Sequence, residues 1–329
     1  MMKRRKFLVV LGASALAAPF GSFAQQQNKI WRVGFLAPRR PDSPATDVYA
    51  GFQRGMRELG YIEGKNLVIE WRYADGVLER LPDLAAELVR LKVDVIVTAG
   101  TPATSAAQKA TATIPIVMGA VADPVGAGLV KSLARPGGNI TGLSTVATDT
   151  SPKRLELLLV MVPKLSRVAI LMNPDISVHV DTLKRVQAAA QKTGVKLLPV
   201  EVRAAREIDG AFSVMGRERV GAVMLLDGAF LNQQELRIGE LMAKNRLPSI
   251  AARGEYAEAG GLMSYGPNLA DSHRRAATYV DKIFKGAKPS DLPVEQPTKF
   301  EFVINRKTAN ALGIKIPNSI LVQATKVIE

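Results

Sequence analysis

Twice along the chain, apolar segments of strand length alternate with segments whose apolar residues recur every three to four positions. This doubled alternation restricts the fold more than any other feature. In the first series WRVGFLA, NLVIEWRYA, KVDVIVTAG and IPIVMGA read as strands. Residues 46–59 place Val48, Phe52, Met56 and Leu59 on one helical face ahead of Gly60. LPDLAAELVRL gives a second helix, the small residues after Gly100 a third, and DPVGAGLVKSLA, after the last strand, a fourth. The unbroken apolar content of KVDVIVTAG implies a strand buried on both faces. Strands alternating with helices require a parallel sheet covered on both sides.

ARPGGNITGL (134–143) breaks the rhythm with Pro136, Gly137 and Gly138 and marks a crossing between domains. The rhythm then restarts. Ser151 and Pro152 suit an N-cap and first helical position for KRLELLLVMV. RVAILMN, VKLLPVEVR, VGAVMLLDG and LPSIAARG read as strands, with helices over VHVDTLKRVQAAAQKTG and LNQQELRIGELMAKN. GGLMSYGPN and PTKFEFVIN flank the helix DSHRRAATYVDKIFKG, so that extended segments carry the chain back to the first unit and across again as strands of a hinge. The expected fold is α/β: two doubly wound parallel-sheet lobes joined by a multi-strand hinge, a clamshell. Lobe 1 takes 30–143 with 266–297, and lobe 2 takes 144–265 with 298–329. With 329 residues, 47% of them hydrophobic, the chain is long enough for two cores.

The N-terminus reads as an export signal over 1–24. Lys3, Arg4, Arg5 and Lys6 precede an apolar run from Phe7 to about Phe20 that is too short to span a bilayer, followed by Ser22-Phe23-Ala24. Arg4-Arg5-Lys6-Phe7-Leu8 also matches a twin-arginine pattern, so twin-arginine and general secretory export both stand. The net charge is +14, and +10 remains once the four basic residues of MMKRRKF are removed. Those charges are scattered over helical patterns, as at Arg274, Arg275, Lys282 and Lys285, and aromatics make up 5% of the chain, which gives no support to a nucleic-acid partner. The absence of cysteine excludes disulfides, thiol catalysis, thiolate metal sites and an acylated anchor. A freely soluble periplasmic monomer is expected.

In such sheets ligands gather at the carboxyl ends of the strands. There the sequence places Arg39 and Arg40, the corner Gly100-Thr101-Pro102-Ala103-Thr104, Asp123, Asn173, Asp227 and the run Arg253–Tyr256. Gly100 permits a tight turn, and the unpaired N–H groups of the following helix, with the hydroxyls of Thr101, Thr104 or Ser105, suit a carboxylate. Thr101 acting only as a helix cap is the competing reading. Asp123 suits either a cap ahead of Pro124 or an ammonium acceptor, Asn173 a turn or a ligand donor, and Tyr265 either packing or the cleft wall. Asp227, at the end of a buried strand, has no hydrophobic reason for its place.

Catalytic constellations are missing. His179 and His273 are the only histidines and stand far apart, no phosphate-binding GxxxxGK[ST] or GxSxG elbow occurs, and DPVGAGLVK has Lys131 where a third glycine would be needed. No enzymatic activity, cofactor or metal is expected.

The blocks GFQRGMRELGYIEGKNLVIEWRYADG, LPDLAAELVRLKVDVIVTAGTPAT, IPIVMGAVADPVGAGLVKSLARPGGNITGLS, GGLMSYGPNLAD and RRAATYVDKIFKGAKPSDLPVEQPTKFEFVIN, with the RRKFL signal and the closing NRKTANALGIKIPNSILVQATKVIE, extend the comparison over nearly the whole chain. It closely resembles the ABC transporter substrate-binding proteins of the tryptophan-binding-like type, a branch of the type I periplasmic binding proteins. The resemblance implies capture of a small solute between two lobes and delivery to a membrane permease powered by an ATPase. Family members that bind aromatic amino acids suggest an amino-acid-like cargo, its carboxylate at Thr101 to Ala103 and its ammonium near Asp123 or Asp227. A periplasmic sensor that presents its ligand to a receptor is the alternative, and an enzyme a remote one. A sugar-responsive repressor of this architecture would need a DNA-binding helix-turn-helix where the export signal stands.

Overall fold

The computed structural model describes residues 29–41, 48–145 and 147–329. The expected export signal at 1–24 and the expected helix start at 46 lie outside the described residues.

Twelve helices are present among these residues: α1 Ala50–Glu58, α2 Leu81–Arg90, α3 Gly100–Ala110, α4 Ala147–Met161, α5 Ser177–Ala190, α6 Ile208–Arg217, α7 Ala229–Gln233, α8 Glu235–Lys244, α9 Gly254–Glu258, α10 Leu269–Phe284, α11 Arg306–Leu312 and α12 Asn318–Leu321. The first sheet is wholly parallel, in the order β2-β1-β3-β4-β5. Its strands are β1 Trp31–Ala37, β2 Leu67–Tyr73, β3 Val95–Ala99, β4 Ile116–Val121 and β5 Ile140–Ser144. Every residue of β3 is buried, as an unbroken apolar strand demands. Leu36, Ile96 and Met118 face α2 and α3 on one side, and Phe35, Val97 and Val117 face α1 and α10 on the other.

The helix α10 comes from far along the chain, and glycine lets it sit close. A Cβ on Gly51 would lie 2.1 Å from the Ala270 carbonyl oxygen, and one on Gly55 2.4 Å from that of Arg274. Bare backbone on α1 therefore sets the distance to α10.

The second sheet runs β12-β11-β10-β9-β8-β6-β7. It comprises β6 Arg167–Met172, β7 Lys196–Glu201, β8 Ala222–Leu225, β9 Ser249–Ala251, β10 Met263–Pro267, β11 Phe300–Asn305 and β12 Lys326–Ile328. All neighbours are parallel except β10 and β11. Met172, Met224 and Ile250 belong to the core under α4 and α5; Leu171, Val223 and Ala251 belong to the opposite one with Phe212, Ile238 and Tyr256.

Four expectations are corrected here. Residues 123–134 form turns rather than a helix, since Gly126 and Gly128 weaken one and Gly128 sits at φ +68°. The Pro136–Gly138 break leads into β5, so the chain stays in the first sheet and crosses only after Ser144. Pro152 lies inside α4 rather than at its start, and Ser151 accepts a hydrogen bond from the Arg154 guanidinium instead of capping. GGLMSYGPN and PTKFEFVIN contribute β10 and β11, which pair antiparallel within the second sheet.

The crossings are short links lying side by side. Glu295 pairs with the end of β5, its N–H donating to the Gly142 carbonyl at 3.0 Å and its carbonyl accepting from the Ser144 N–H at 2.9 Å. Asn268 caps α10 by accepting from the Asp271 N–H, while its own N–H donates to the Lys299 carbonyl at 3.1 Å. The two lobes are thus tethered along one edge as a clamshell.

Candidate functional site

The loops at the carboxyl ends of the two sheets meet. Arg39, just past β1, donates from Nη1 to the Asn232 carbonyl at 3.2 Å. Gln233 donates from Nε2 to the carbonyl of Gly76, just past β2, at 3.1 Å. The segment α7, which follows β8, therefore touches the first lobe directly.

On the first lobe, β3 turns into α3 at Gly100, whose φ of +80° favours glycine. The residue before the helix is Ala99, and no side chain caps the first-turn N–H groups. Thr101 is half-buried, and among the described residues its hydroxyl has no hydrogen-bond partner. It does not cap its own helix. Pro102 is half-buried beside it, whereas Ala103 and Thr104 are fully buried. The Thr104 hydroxyl bonds to that of Thr98 at 2.7 Å and donates to the Gly100 carbonyl at 2.9 Å, which locks the strand to the helix. An uncapped helix N-terminus with a free hydroxyl is equipped to hold an anion without reacting with it.

On the second lobe His179, on α5, ties two corners together. It is 1% exposed; its Nδ1 accepts from the Asn173 N–H at 2.9 Å, so its proton sits on Nε2, which donates to the Asp227 carbonyl at 2.9 Å. Burial holds this imidazole below its usual pKa, outweighing the carbonyl of Asp227. Asn173 itself turns the chain, its Oδ1 accepting from the Asp175 N–H at 2.9 Å. Asp227 is half-buried and accepts from Asn232 Nδ2 at 2.7 Å. Behind it lies the buried guanidinium of Arg154, pulled down to about 10 by burial and drawn back up by Asp227.

Next to Asp227 stands the Arg253–Tyr256 corner expected at a strand end, joined by Glu235, which the sequence pattern does not mark. Arg253 donates from Nη2 to Glu255 at 2.9 Å and stands 4.0 Å from Glu235 through Nε. Against the opposing pull of burial, these two carboxylates hold Arg253 above its ordinary pKa, and Arg253 in turn holds Glu255 below its own. Glu235 behaves oppositely. It is 9% exposed, and burial pushes its carboxyl up to about 8 despite Arg253. Asp227, Asn232, Glu235 and Arg253 line a cavity together with Leu226 and Leu231, with about 10 Å³ of room for the centre of a water-sized group.

The remaining candidates fall elsewhere. Asp123 is exposed, and its Oδ1 accepts from the Gly126 N–H at 2.8 Å, a turn-closing role. Tyr265 is half-buried, stacked on Phe300 with centroids 6.0 Å apart and edge-on to Phe302. His179, Asn232 and Glu235 were not singled out from the sequence. Asn232 and Glu235 sit in an amphipathic pattern where polar residues read as solvent-facing. Only the proximity of Arg253, from a different corner, distinguishes Glu235.

The family model for ABC transporter substrate-binding proteins matches residues 42–328. A tyrosine-binding protein of Clostridioides difficile (strain R20291) is 29% identical over 335 residues, covering 96% of this chain and 94% of its own. The solved ABC domain in complex with L-Trp from Streptococcus pneumonia is 28% identical with a TM-score of 0.82, covering 91% of this chain and 99% of its own. A ligand-free, open substrate-binding protein with adhesive properties from Clostridium difficile is 26% identical with a TM-score of 0.70, at the same coverage. At nearly equal identity the L-Trp complex matches better than the open structure, in keeping with the lobe-to-lobe hydrogen bonds of Arg39 and Gln233. The chain belongs to the family of ABC transporter substrate-binding proteins.

Proposed function

We propose that the chain is the periplasmic solute-binding component of an ABC importer, exported through its N-terminal signal, and that it carries an amino-acid-like carboxylate solute between its lobes to a membrane permease driven by an ATPase. The observation that carries this reading is the corner at Gly100–Thr101. It offers uncapped helix N–H groups and a free hydroxyl that, among the described residues, no base activates. Pro102 and Ala103 shape that first turn, and Thr104 anchors it from beneath. Asp227, held by His179 and Asn232, offers a negative charge for the cargo's ammonium. Asn173 supports the same wall through His179, while Asp123 closes a turn and Tyr265 packs on Phe300 and Phe302, so neither carries the reading. The tyrosine-binding relative and the L-Trp-bound structure support an amino-acid cargo.

The moving units are 30–144 with 268–297 and 145–267 with 298–329, shifted from the expected bounds because β5 ends at Ser144 and β10 at Pro267, and hinged at the links beside Ser144, Asn268 and Glu295. A cargo that touches both lobes binds the closed form more tightly, and that difference alone drives closure. The protein handles its cargo unchanged, as the substrate-binding family to which it belongs does.

A thermal-shift screen of the L-amino acids, other carboxylates and nucleosides tests the reading. A cognate solute at a hundred times its Kd stabilises the protein by about 2.7 kcal/mol. In Thr101→Val the loss of one charge-assisted hydrogen bond weakens that solute by about tenfold, a free-energy loss of roughly 1.4 kcal/mol. Stabilisation by nucleosides alone, or unchanged affinity in Thr101→Val, contradicts the reading.

A further inference from the structure

Two carboxylates, Asp227 and Glu235, line the cavity at the base of α7, and a third, Glu255, pairs with the Arg253 that lines it; two of the three have donors. Asp227 accepts from Asn232, and Glu255 from Arg253. Glu235 has none: among the described residues no donor comes within hydrogen-bonding distance, and its nearest cation is Arg253 Nε at 4.0 Å. Its side chain is nevertheless 11% exposed and turned to the cavity wall. A carboxylate removed from water without a donor needs either a proton or a cation.

We propose that Glu235 is the anchor for a cationic N–H group of the cargo, seated in the cavity beneath α7. The room there admits one water-sized group, which fits a primary ammonium and excludes a sugar or aromatic ring. The bulk of the cargo then lies outside the cavity, toward the first lobe. This rests on the proposed use of the cleft as the cargo site, and places the cargo's ammonium at Glu235 rather than at the neighbouring Asp227, with a charge requirement of its own.

Binding at Glu235 is an exchange. With the cleft empty the carboxyl titrates near 8, raised by burial and by Glu255 and Asp227, lowered by Arg253 and by Arg39 from the opposite lobe. At neutral pH it therefore holds a proton, which passes to solvent as the ammonium enters. Proton and cargo compete, so cationic cargo binds more tightly as the pH rises toward 8.

Calorimetry tests this with the standard L-amino acids, the amines left when the carboxylate is removed and the acids left when the ammonium is removed, each in two buffers of different ionisation enthalpy. Ammonium-bearing probes are expected to release up to one proton near pH 7 and to tighten about tenfold between pH 6.5 and 8. The near-isosteric Glu235→Gln is expected to lose that release and that pH dependence, with affinity at pH 8 falling about tenfold. The proposal is overturned if no ammonium-bearing probe binds, if the deaminated acids bind as tightly as the amino acids, or if Glu235→Gln keeps the pH dependence. Acids that bind while amines do not leave the carboxylate reading standing and remove the cation anchor. Amines that bind while acids do not do the reverse.

Discussion

At the scale of single residues, the second-lobe wall combines two buried titratable groups whose effects on stability run in opposite directions with pH. His179 has a folded pKa below that of the unfolded chain, so the unfolded state takes up its proton first, and stability falls as the pH drops below about 6.5. Glu235 has a folded pKa raised to about 8 from 4.5. Its contribution is complete below 4.5 and is lost as the pH rises toward 8. Glu235→Gln should accordingly stabilise the cargo-free protein at pH 7 and above, by roughly 3 kcal/mol or less at pH 7, and have little effect at pH 4.5. Denaturant unfolding at the two pH values measures it, and equal effects at both would contradict the assignment. His179→Ala leaves the Asn173 N–H and the Asp227 carbonyl without their partner and should cost about 2–3 kcal/mol at pH 7.5. Neither residue could be read from sequence as part of the site. A lone histidine in a helical pattern and a glutamate near a helix start carry no local mark of burial; what holds them, Asp227 for His179 and Arg253 for Glu235, comes from other strand ends.

At the scale of elements, the glycines of α1 give the sharpest expectation. The Ala270 carbonyl oxygen leaves no space for a Cβ on Gly51, so Gly51→Ala must push α10 away from α1 and should cost about 1–3 kcal/mol despite alanine's better helix propensity. Gly60, with nothing within 4 Å but φ at +88°, is the contrasting case: strain without a clash. A thermal midpoint for Gly51→Ala equal to that of the parent would show that α10 is free to move. Periodicity made α1, α2 and the buried strands readable, because one apolar face or one unbroken apolar run is a local property. It misled where tertiary context decided. Residues 123–134 have helical spacing, yet Asp123 closes a turn onto Gly126, and the short β5 is recognisable only through its pairing with β4. The antiparallel placement of β11 against β10 is likewise a relation between distant segments, invisible to any window along the chain.

At the scale of the whole molecule, the repeat of the βα series foretold two lobes, but the contact between them depends on loops whose partners sequence alone cannot identify. Arg39 belongs to a corner expected to face the cleft, while its acceptor is the backbone of Asn232 rather than a side chain, which no residue pattern encodes. Arg39 and Gln233 each donate a lobe-to-lobe hydrogen bond to a backbone carbonyl, worth about 0.5–1.5 kcal/mol apiece. Losing both removes about 1–3 kcal/mol from the closed state, enough to shift the balance of open to closed forms by roughly five- to more than a hundredfold. Arg39→Ala combined with Gln233→Ala should therefore enlarge the radius of gyration of the cargo-free protein in X-ray solution scattering, with no loss of folded content by circular dichroism, since neither residue belongs to a core. The hinge links beside Ser144, Asn268 and Glu295 keep their own hydrogen bonds in this variant, so the expected change is rotation of intact lobes rather than local unfolding. An unchanged scattering profile would mean that the closed arrangement is held elsewhere, by the apolar and charged surfaces around α7 rather than by these two bonds.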